Sequence, residues 1–479
     1  MKARIFAEEN KKWWTLAAVA FGLFMIMLDN TVVNVALPSI QKDLGIAISQ
    51  LEWIVTAYAL VFAALMITGG KLADLYGRRR IFTTGLTVFT LSSLACGLAP
   101  SAGVLIGARA VQGIGAALMM PATLSIITAT FPPRQRGQAI GIWAGVSALA
   151  LAIGPLVGGL IVDNISWSWI FFVNVPVGAL GIVVSRFFIS ESRDTSHEQS
   201  IDLPGLATSG LGLFALTYAL IEGNRHGWMS PEIIGLFVAA AVLLGGFVVV
   251  EARQRLPMLD LSLFRIGAFA GANIVALLVS LGMFGVFFFV SLYVQNILGY
   301  SPTKAGAVFL PMTLLIIVVA PVAGRLSDRV GSRWLMAGGM TLTGISLLLY
   351  QRVGVHSDFW TLLPQLLIGG VGMAMTMSPM TSAAMGAVPV DKAGVGSGVL
   401  NSFRQVGGAF GIALMGAIIA SYLHAPQRSP LAKQEFVDGL HAALLLSAGI
   451  TFAAAVVAVV LVRTSPAVER AHVAAKVAA

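Results

Sequence analysis

Apolar stretches near twenty residues recur from one end of this chain to the other, separated by short polar segments. Fourteen such spans are predicted, at 13–37, 51–69, 81–99, 102–130, 138–162, 167–189, 203–221, 232–250, 267–297, 303–323, 334–351, 359–388, 394–422 and 437–462. About twenty apolar residues is the length that a bilayer core of roughly 30 Å asks of a helix. Backbone groups in lipid must be satisfied within their own segment, so these spans read as helices. A membrane barrel would instead show ten-residue alternating strands, which the pattern lacks. Several spans exceed what a bilayer needs, which predicts tilt or short amphipathic extensions.

Two polar loops between these spans repeat one another. GKLADLYGRRR occupies 70–80, between spans 2 and 3, and GRLSDRVGSR occupies 324–333, between spans 10 and 11. A repeated loop predicts two related halves, a common plan for membrane transporters with the cargo site at the repeat interface. The offset is eight spans where two six-helix halves would give six, so two helices are inserted between the halves. Spans 7 and 8 are those helices, flanked by the polar stretches 191–203 and 251–265, the second of which contains Pro257. The predicted organisation is a six-helix bundle over 1–190, a linker with the inserted pair over 191–260, and a second six-helix bundle over 261–479.

Composition agrees with lipid as the solvent. Of 479 residues, 57% are hydrophobic and only 11% charged, with a mean hydropathy of +0.88; soluble chains carry about 25% charged residues. An even number of spans puts both termini on one side. That side adjoins 22 of the 30 Lys and Arg and the other side 6, with Arg109 and Arg404 deep within spans. The positive-inside rule then makes both termini cytoplasmic. The net charge of +9 is thereby explained without nucleic acid. The apolar run after Lys11 and Lys12 lacks a small-x-small cleavage site and reads as a retained first helix. Cys96 is the only cysteine, so no internal disulfide can form, and the six histidines show no metal-ligand spacing. The only Gly-Lys pair is Gly70-Lys71, followed by leucine, so no phosphate-binding loop exists. No cluster suggests covalent chemistry, and the chain does not read as an enzyme.

The charges that remain inside spans are the candidates for function. Asp29 lies 16 residues beyond Trp13, roughly 24 Å along its helix, and Arg109 lies roughly 10 Å from the opposite face in span 4. The two therefore sit at comparable depth, where ionisable groups are costly and face a cavity or each other. They form either a structural pair or a proton site. Gln112, one turn beyond Arg109, and Asn34, five residues beyond Asp29, add polar groups to the same region. Tyr58, Asn273 and Gln295 are further polar side chains within spans and candidate lining of a cargo cavity. Arg404 in span 13 is either a cargo contact or a structural arginine. Glu222, at the end of span 7, reads first as a solvated loop carboxylate. In the repeated loops, Gly70 and Gly77 permit a tight turn and close approach. Asp74 is the one carboxylate among Lys71, Arg78, Arg79 and Arg80, and Gly324, Asp328, Gly331 and Arg333 repeat its surroundings. The expectation is a latch made in one conformation only. In span 5, Gly154, Pro155, Gly158 and Gly159 offer close helix approach and a kink.

These segments together resemble the major facilitator superfamily, in its fourteen-helix drug:proton antiporter branch. DNTVVNVALP (29–38) resembles that branch's helix 1 signature, the loop at 70–80 the superfamily's loop 2–3 motif, and RAVQGIGAA (109–117) its helix 4 motif. GPLVGG (154–159) resembles the helix 5 antiporter motif, and WSWIFFVNVPVG (167–178) the branch's helix 6; the likeness continues through SFRQVGG (402–408). The resemblance implies alternating access and export of amphipathic compounds against inward protons, across a bacterial plasma membrane, by a monomer. No cofactor is implied beyond the proton gradient, and the partners are lipophilic cargo, protons and lipid. Asp29 resembles the proton-coupling carboxylate and Arg109 the helix 4 relay arginine. No second deep carboxylate is evident, which favours neutral or singly charged cargo, and the many Met and Phe residues suit varied shapes. The rival within the same fold is a carrier of lipid or lipid-like metabolites. A sensor or scaffold is disfavoured by the buried charges.

Overall fold

The computed structural model describes residues 8–193, 202–254, 257, 259–388, 393–425 and 430–462. Among these, every regular element is helical. Joining short helices to those that they continue gives fourteen rods. They are α1 (Glu8–Leu44), α2 (Ile48–Tyr76), α3 (Arg78–Gly97), α4 (Ala102–Thr130), α5 (Pro133–Asn164) and α6 (Trp169–Phe172 with Asn174–Phe188). After them come α7 (Leu203–His226) and α8 (Pro231–Arg253). The rest are α9 (Gly267–Leu292, ending in a π turn over Tyr293–Ile297), α10 (Pro302–Val308 with Leu310–Val330), α11 (Ser332–Leu349), α12 (Phe359–Gly386), α13 (Ala393–Tyr422) and α14 (Pro430–Leu461). Eleven helices among the described residues are long and apolar enough to cross a membrane. The rods outside that set are α3, α5 and α11, whose stretches are more polar or only partly described.

The packing repeats with an offset of eight rods. In the first half α2 packs on α4, α3 on α4 and α6, and α1 on α5 and α6; in the second α10 packs on α12, α11 on α12 and α14, and α9 on α13 and α14. The two repeated loops are alike in backbone as well. α2 and α3 are divided by Gly77 alone (φ +109°), and α10 and α11 by Gly331 alone (φ +92°). Such φ values are open to glycine and strained for other residues.

Between neighbouring helices in lipid, association depends on close packing, so small residues mark the contacts. A methyl at Gly69 or Gly113 would strike the α4 and α2 backbones respectively, and one at Gly407 or Gly411 the α9 backbone. α7 lies against α2, α13 and α8, so it touches both halves, whereas α8 leans mainly on α7.

The halves meet along α2·α13, α5·α10 and α1·α9. At the end away from the repeated loops, Thr303 N donates to Asp163 Oδ2 at 2.7 Å, Ser291 Oγ to Asn34 O at 2.8 Å and Gln295 Nε2 to Val35 O at 2.9 Å. The α9 π turn is what carries Gln295 onto α1. Nearer the repeated loops, the direct hydrogen bond between the halves among the described residues is Ser402 Oγ to Ala63 O, 3.2 Å.

Candidate functional site

Asp29 and Arg109, expected at comparable depth, are in contact. Arg109 Nη1 donates to Asp29 Oδ2 at 2.5 Å, and each residue is 1% exposed. Four helices build the surroundings. Gln112, one turn along α4, donates from Nε2 to Asp29 Oδ1 at 3.0 Å and accepts Arg109 Nη1 at 2.7 Å. Asn174 of α6 donates to Asp29 Oδ1 at 3.5 Å and to Ser93 Oγ of α3 at 3.0 Å. Ser93 Oγ donates to Phe171 O at 3.0 Å, and Arg109 Nε donates to Ile54 O of α2 at 3.1 Å. The guanidinium lies 4.2 Å from the Tyr58 ring centroid, a cation–π contact strengthened by the dry site.

Every partner of Asp29 is a donor, so the arrangement fits the ionised carboxylate, which only accepts. A proton on Asp29 would take a lone pair from one donor and cancel the charge that balances Arg109. The Tyr58 hydroxyl is buried beside the network with no hydrogen-bond partner among the described residues.

Other predicted site residues fall elsewhere. Asn34 and Gln295 belong to the contact between the halves described above. Asn273 is buried in α9, donating to Phe269 O at 2.8 Å and leaving its own oxygen unpartnered. Arg404 is half-buried in α13. Glu222 corrects the loop reading: α7 runs on to His226, so Glu222 stays helical, 7% exposed, accepting Trp53 Nε1 at 3.3 Å. Glu52 is a further buried carboxylate, near the start of its span rather than deep within it. It lies in the first turns of α2, where counting along one helix suggests an interface position, yet it is 2% exposed. Packing by other helices, invisible to a length count, buries both.

In the first loop, Asp74 pairs with Arg78 at 3.0 Å, one turn away on the next helix. Gly77 abuts the Glu191 carboxylate, which accepts Arg79 N at 3.1 Å, and Gly70 lies on Pro121. The Asp74–Arg78 and Gly70–Pro121 contacts stay within the first half, and Glu191 is the first residue of the linker that follows it. In the second loop, Gly324 faces Ser378, and Arg333 lies 4.9 Å from the Trp334 ring with its Nε unpartnered. The Asp328 side chain lies outside the described residues. On α5, methyls at Gly154 and Gly158 would strike Thr31 and Val32 of α1, while Gly159 meets the Pro302 backbone and the Pro155 carbonyl meets Gly306 of α10. One glycine ridge thus faces α1 and its flank faces the other half.

Ser93 and Asn174 are the site residues that reasoning from charge passes over. Their signal is a polar residue inside an apolar run, which becomes informative only once α3 and α6 are known to face Asp29. Among the described residues no group of three or more His, Cys, Asp or Glu gathers to hold a metal.

Comparison with known proteins agrees with the helical fold. A family model described as Major Facilitator Superfamily matches residues 19–411 and 272–477. Multidrug resistance protein Stp of Mycobacterium tuberculosis is 38% identical over 414 residues, covering 86% of this chain and 76% of that protein. Puromycin resistance protein pur8 of Streptomyces alboniger is 37% identical over 464 residues, 95% and 92% of the two chains. The tetracenomycin C resistance and export protein of Streptomyces glaucescens is 35% identical, covering 86% and 77%. Among solved structures, a bacterial homologue of the human lysosomal transporter Spinster, inward-facing and unoccupied, superposes with a TM-score of 0.68 at 17% identity, covering 95% and 99%. The peptide transporter POT with sulfate gives 0.67 at 16% identity, covering 93% of each chain.

Proposed function

The chain belongs to the major facilitator superfamily, and from that premise we propose that it exports lipophilic small molecules in exchange for protons by alternating access. The observation that carries the reading is the Asp29–Arg109–Gln112–Asn174–Ser93 network, a dry carboxylate balanced by one arginine whose state a single proton changes. The resistance names of relatives at 35–38% identity support drugs or antibiotics as cargo. Protonation of Asp29 frees Arg109 from its counter-charge, and the guanidinium then seeks another acceptor, Gln112 and Ile54 O being already engaged. Cargo or water near the unpartnered Tyr58 hydroxyl would meet that change.

Six rods on either side of the inserted α7 and α8, all crossing the membrane, with both termini cytoplasmic, complete the proposed arrangement. It works as a monomer in a bacterial plasma membrane, driven by the proton gradient without a cofactor. The far-end bonds at Asp163, Asn34 and Val35 then form the outer seal. Gly70, Asp74, Gly77, Arg78 and Arg79 form the inner latch, with Gly324, Asp328 and Arg333 as its echo. The test is whole-cell efflux of a panel of dyes and antibiotics with and without a pH gradient. Gradient-dependent efflux of lipophilic compounds is expected. Gradient-independent movement, or a lipid-flux phenotype with no resistance, refutes drug:proton exchange.

A further inference from the structure

The inserted pair of helices begins and ends on two buried carboxylates that meet. Asp202 caps α7: its Oδ1 accepts Gly205 N at 2.7 Å and, from just past α8, Gln254 Nε2 at 2.6 Å. Glu251 stands in the last turn of α8, where its Oε2 accepts Leu259 N at 2.9 Å. The remaining oxygens crowd one glycine. A methyl at Gly205 would strike Asp202 Oδ2 and Glu251 Oε1 together. Both lie within 2.6 Å of that methyl's position, so they are at most about 5 Å apart, where like charges act strongly on one another. Asp202 is 4% exposed and Glu251 2%. Glu251 Oε1 is buried with no hydrogen-bond donor among the described residues.

Other described charges at this end leave the two carboxylates short of one positive charge. Lys71 of α2 donates from Nζ to Pro257 O at 2.9 Å, two residues before the amide that Glu251 accepts. It brings one positive charge to that turn. Arg253 and Arg265 are exposed, where solvent screens them. Asp260 turns to Ser262, accepting its N at 3.0 Å and its Oγ at 2.6 Å, and Asp74 is paired with Arg78. The remaining charges of α7, Glu222 to His226, lie at its far end. Two dry carboxylates this close cannot both be ionised against a single lysine. An oxygen facing an oxygen needs an O–H between them, and a carboxyl supplies one only when protonated.

We propose that Asp202 and Glu251 bind one proton between Oδ2 and Oε1, forming a clasp that joins the start of α7 to the end of α8. The clasp holds more than the inserted pair. Through Leu259 it fixes the segment leading into α9, the first helix of the second half. Through Pro257 and Lys71 the same segment lies on the first repeated loop. A site that binds its proton only when clasped is favoured at low pH and loses that advantage as pH rises. Both carboxylates then ionise, their repulsion parts α7 from α8, and Leu259 N is released. The connection between the halves is thereby freed from the first half. This site is separate from the Asp29 network and stands on the fold alone, whatever the cargo.

Two measurements on the purified full chain test the clasp. Infrared difference spectra between acidic and alkaline buffer report a buried protonated carboxyl as a C=O band lost at high pH. The parent is expected to show such a band, and Glu251→Gln and Asp202→Asn each to lose it. Hydrogen exchange at the Leu259 amide, corrected for the chemical rate, is expected to lose protection in the parent as pH rises. In Glu251→Gln the side-chain oxygen still accepts Leu259 N while its amide group donates to Asp202, so protection persists at every pH. Glu251→Leu is expected to lose protection at every pH; if it does not fold, Asp202→Asn, clasped like Glu251→Gln, takes its place. A parent without the band, a band that survives both single variants, or Leu259 protection that ignores pH in the parent overturns the clasp. So does a Glu251→Gln protein that follows the parent's pH dependence. A chain that exports no drug yet passes both measurements faults the export reading and upholds this one.

Discussion

Replacing Arg109 by glutamine separates the two halves of the buried pair and gives the network its most quantitative test. The substitution removes the charge-assisted bond to Asp29 and the bond to Ile54 O, and leaves Asp29 with amide donors from Gln112 and Asn174 only. Leaving one member of a buried ion pair uncompensated costs about 3–5 kcal/mol. Asp29→Asn leaves the guanidinium, which cannot shed its charge, uncompensated in the same buried site, so a loss of about 3–5 kcal/mol is expected there as well, although the amide oxygen still accepts from Arg109. The double variant carries no charge in the site, so its cost falls below the sum of the singles by about 2 kcal/mol, within the range of contacting pairs. Cys96 provides the assay. It is the only cysteine, fully buried, with Sγ 3.7 Å from Gln112 Oε1, so a thiol-reactive fluorophore reports loss of this packing directly. Denaturant titrations followed by Cys96 labelling give the four free energies. Additivity within about 0.5 kcal/mol would refute an energetically coupled pair.

Three further outcomes follow from the packing. Gly77→Ala combines a strained φ of +109° with a collision at Glu191, whereas Gly331→Ala meets strain alone, with nothing within 4 Å of the added methyl; the first is expected to lower the melting temperature more, and equal losses would contradict the Glu191 contact. Gly159→Leu cannot fit against the Pro302 backbone, so a cysteine placed at Thr303 becomes accessible to an impermeant thiol reagent, and unchanged protection would contradict a seal at that contact. Asn174→Leu removes donors to Asp29 and Ser93 and is expected to cost about 1–3 kcal/mol in the same labelling assay; no loss of stability would show that Asn174 is not part of the network.

Much of this molecule is legible in its sequence because lipid imposes a simple rule on apolar length. The repeated loops predicted two related halves, and Gly77 and Gly331 proved to be equivalent one-residue breaks. The comparable depth of Asp29 and Arg109 was legible by counting along two helices, but that they touch was left open. Lateral neighbours did not follow. Depth says nothing about which face of α3 carries Ser93, or that α7 lies between α2 and α13 and buries Glu52 and Glu222. Asn34 and Gln295 have the right chemistry for a cavity, but a π turn in α9 commits Gln295 to the Val35 carbonyl. Such turns depend on tertiary partners, which spacing does not encode.

Asp29 is proposed to carry the exchanged proton, and proteoliposomes with an imposed pH gradient test that role most directly. With a lipophilic dye as cargo, the parent protein is expected to concentrate dye against its gradient, and a protonophore to abolish this. Asp29→Asn is expected to exchange dye down its gradient yet fail to concentrate it at any pH difference. Uphill, protonophore-sensitive transport by Asp29→Asn at the parent's rate would contradict the account.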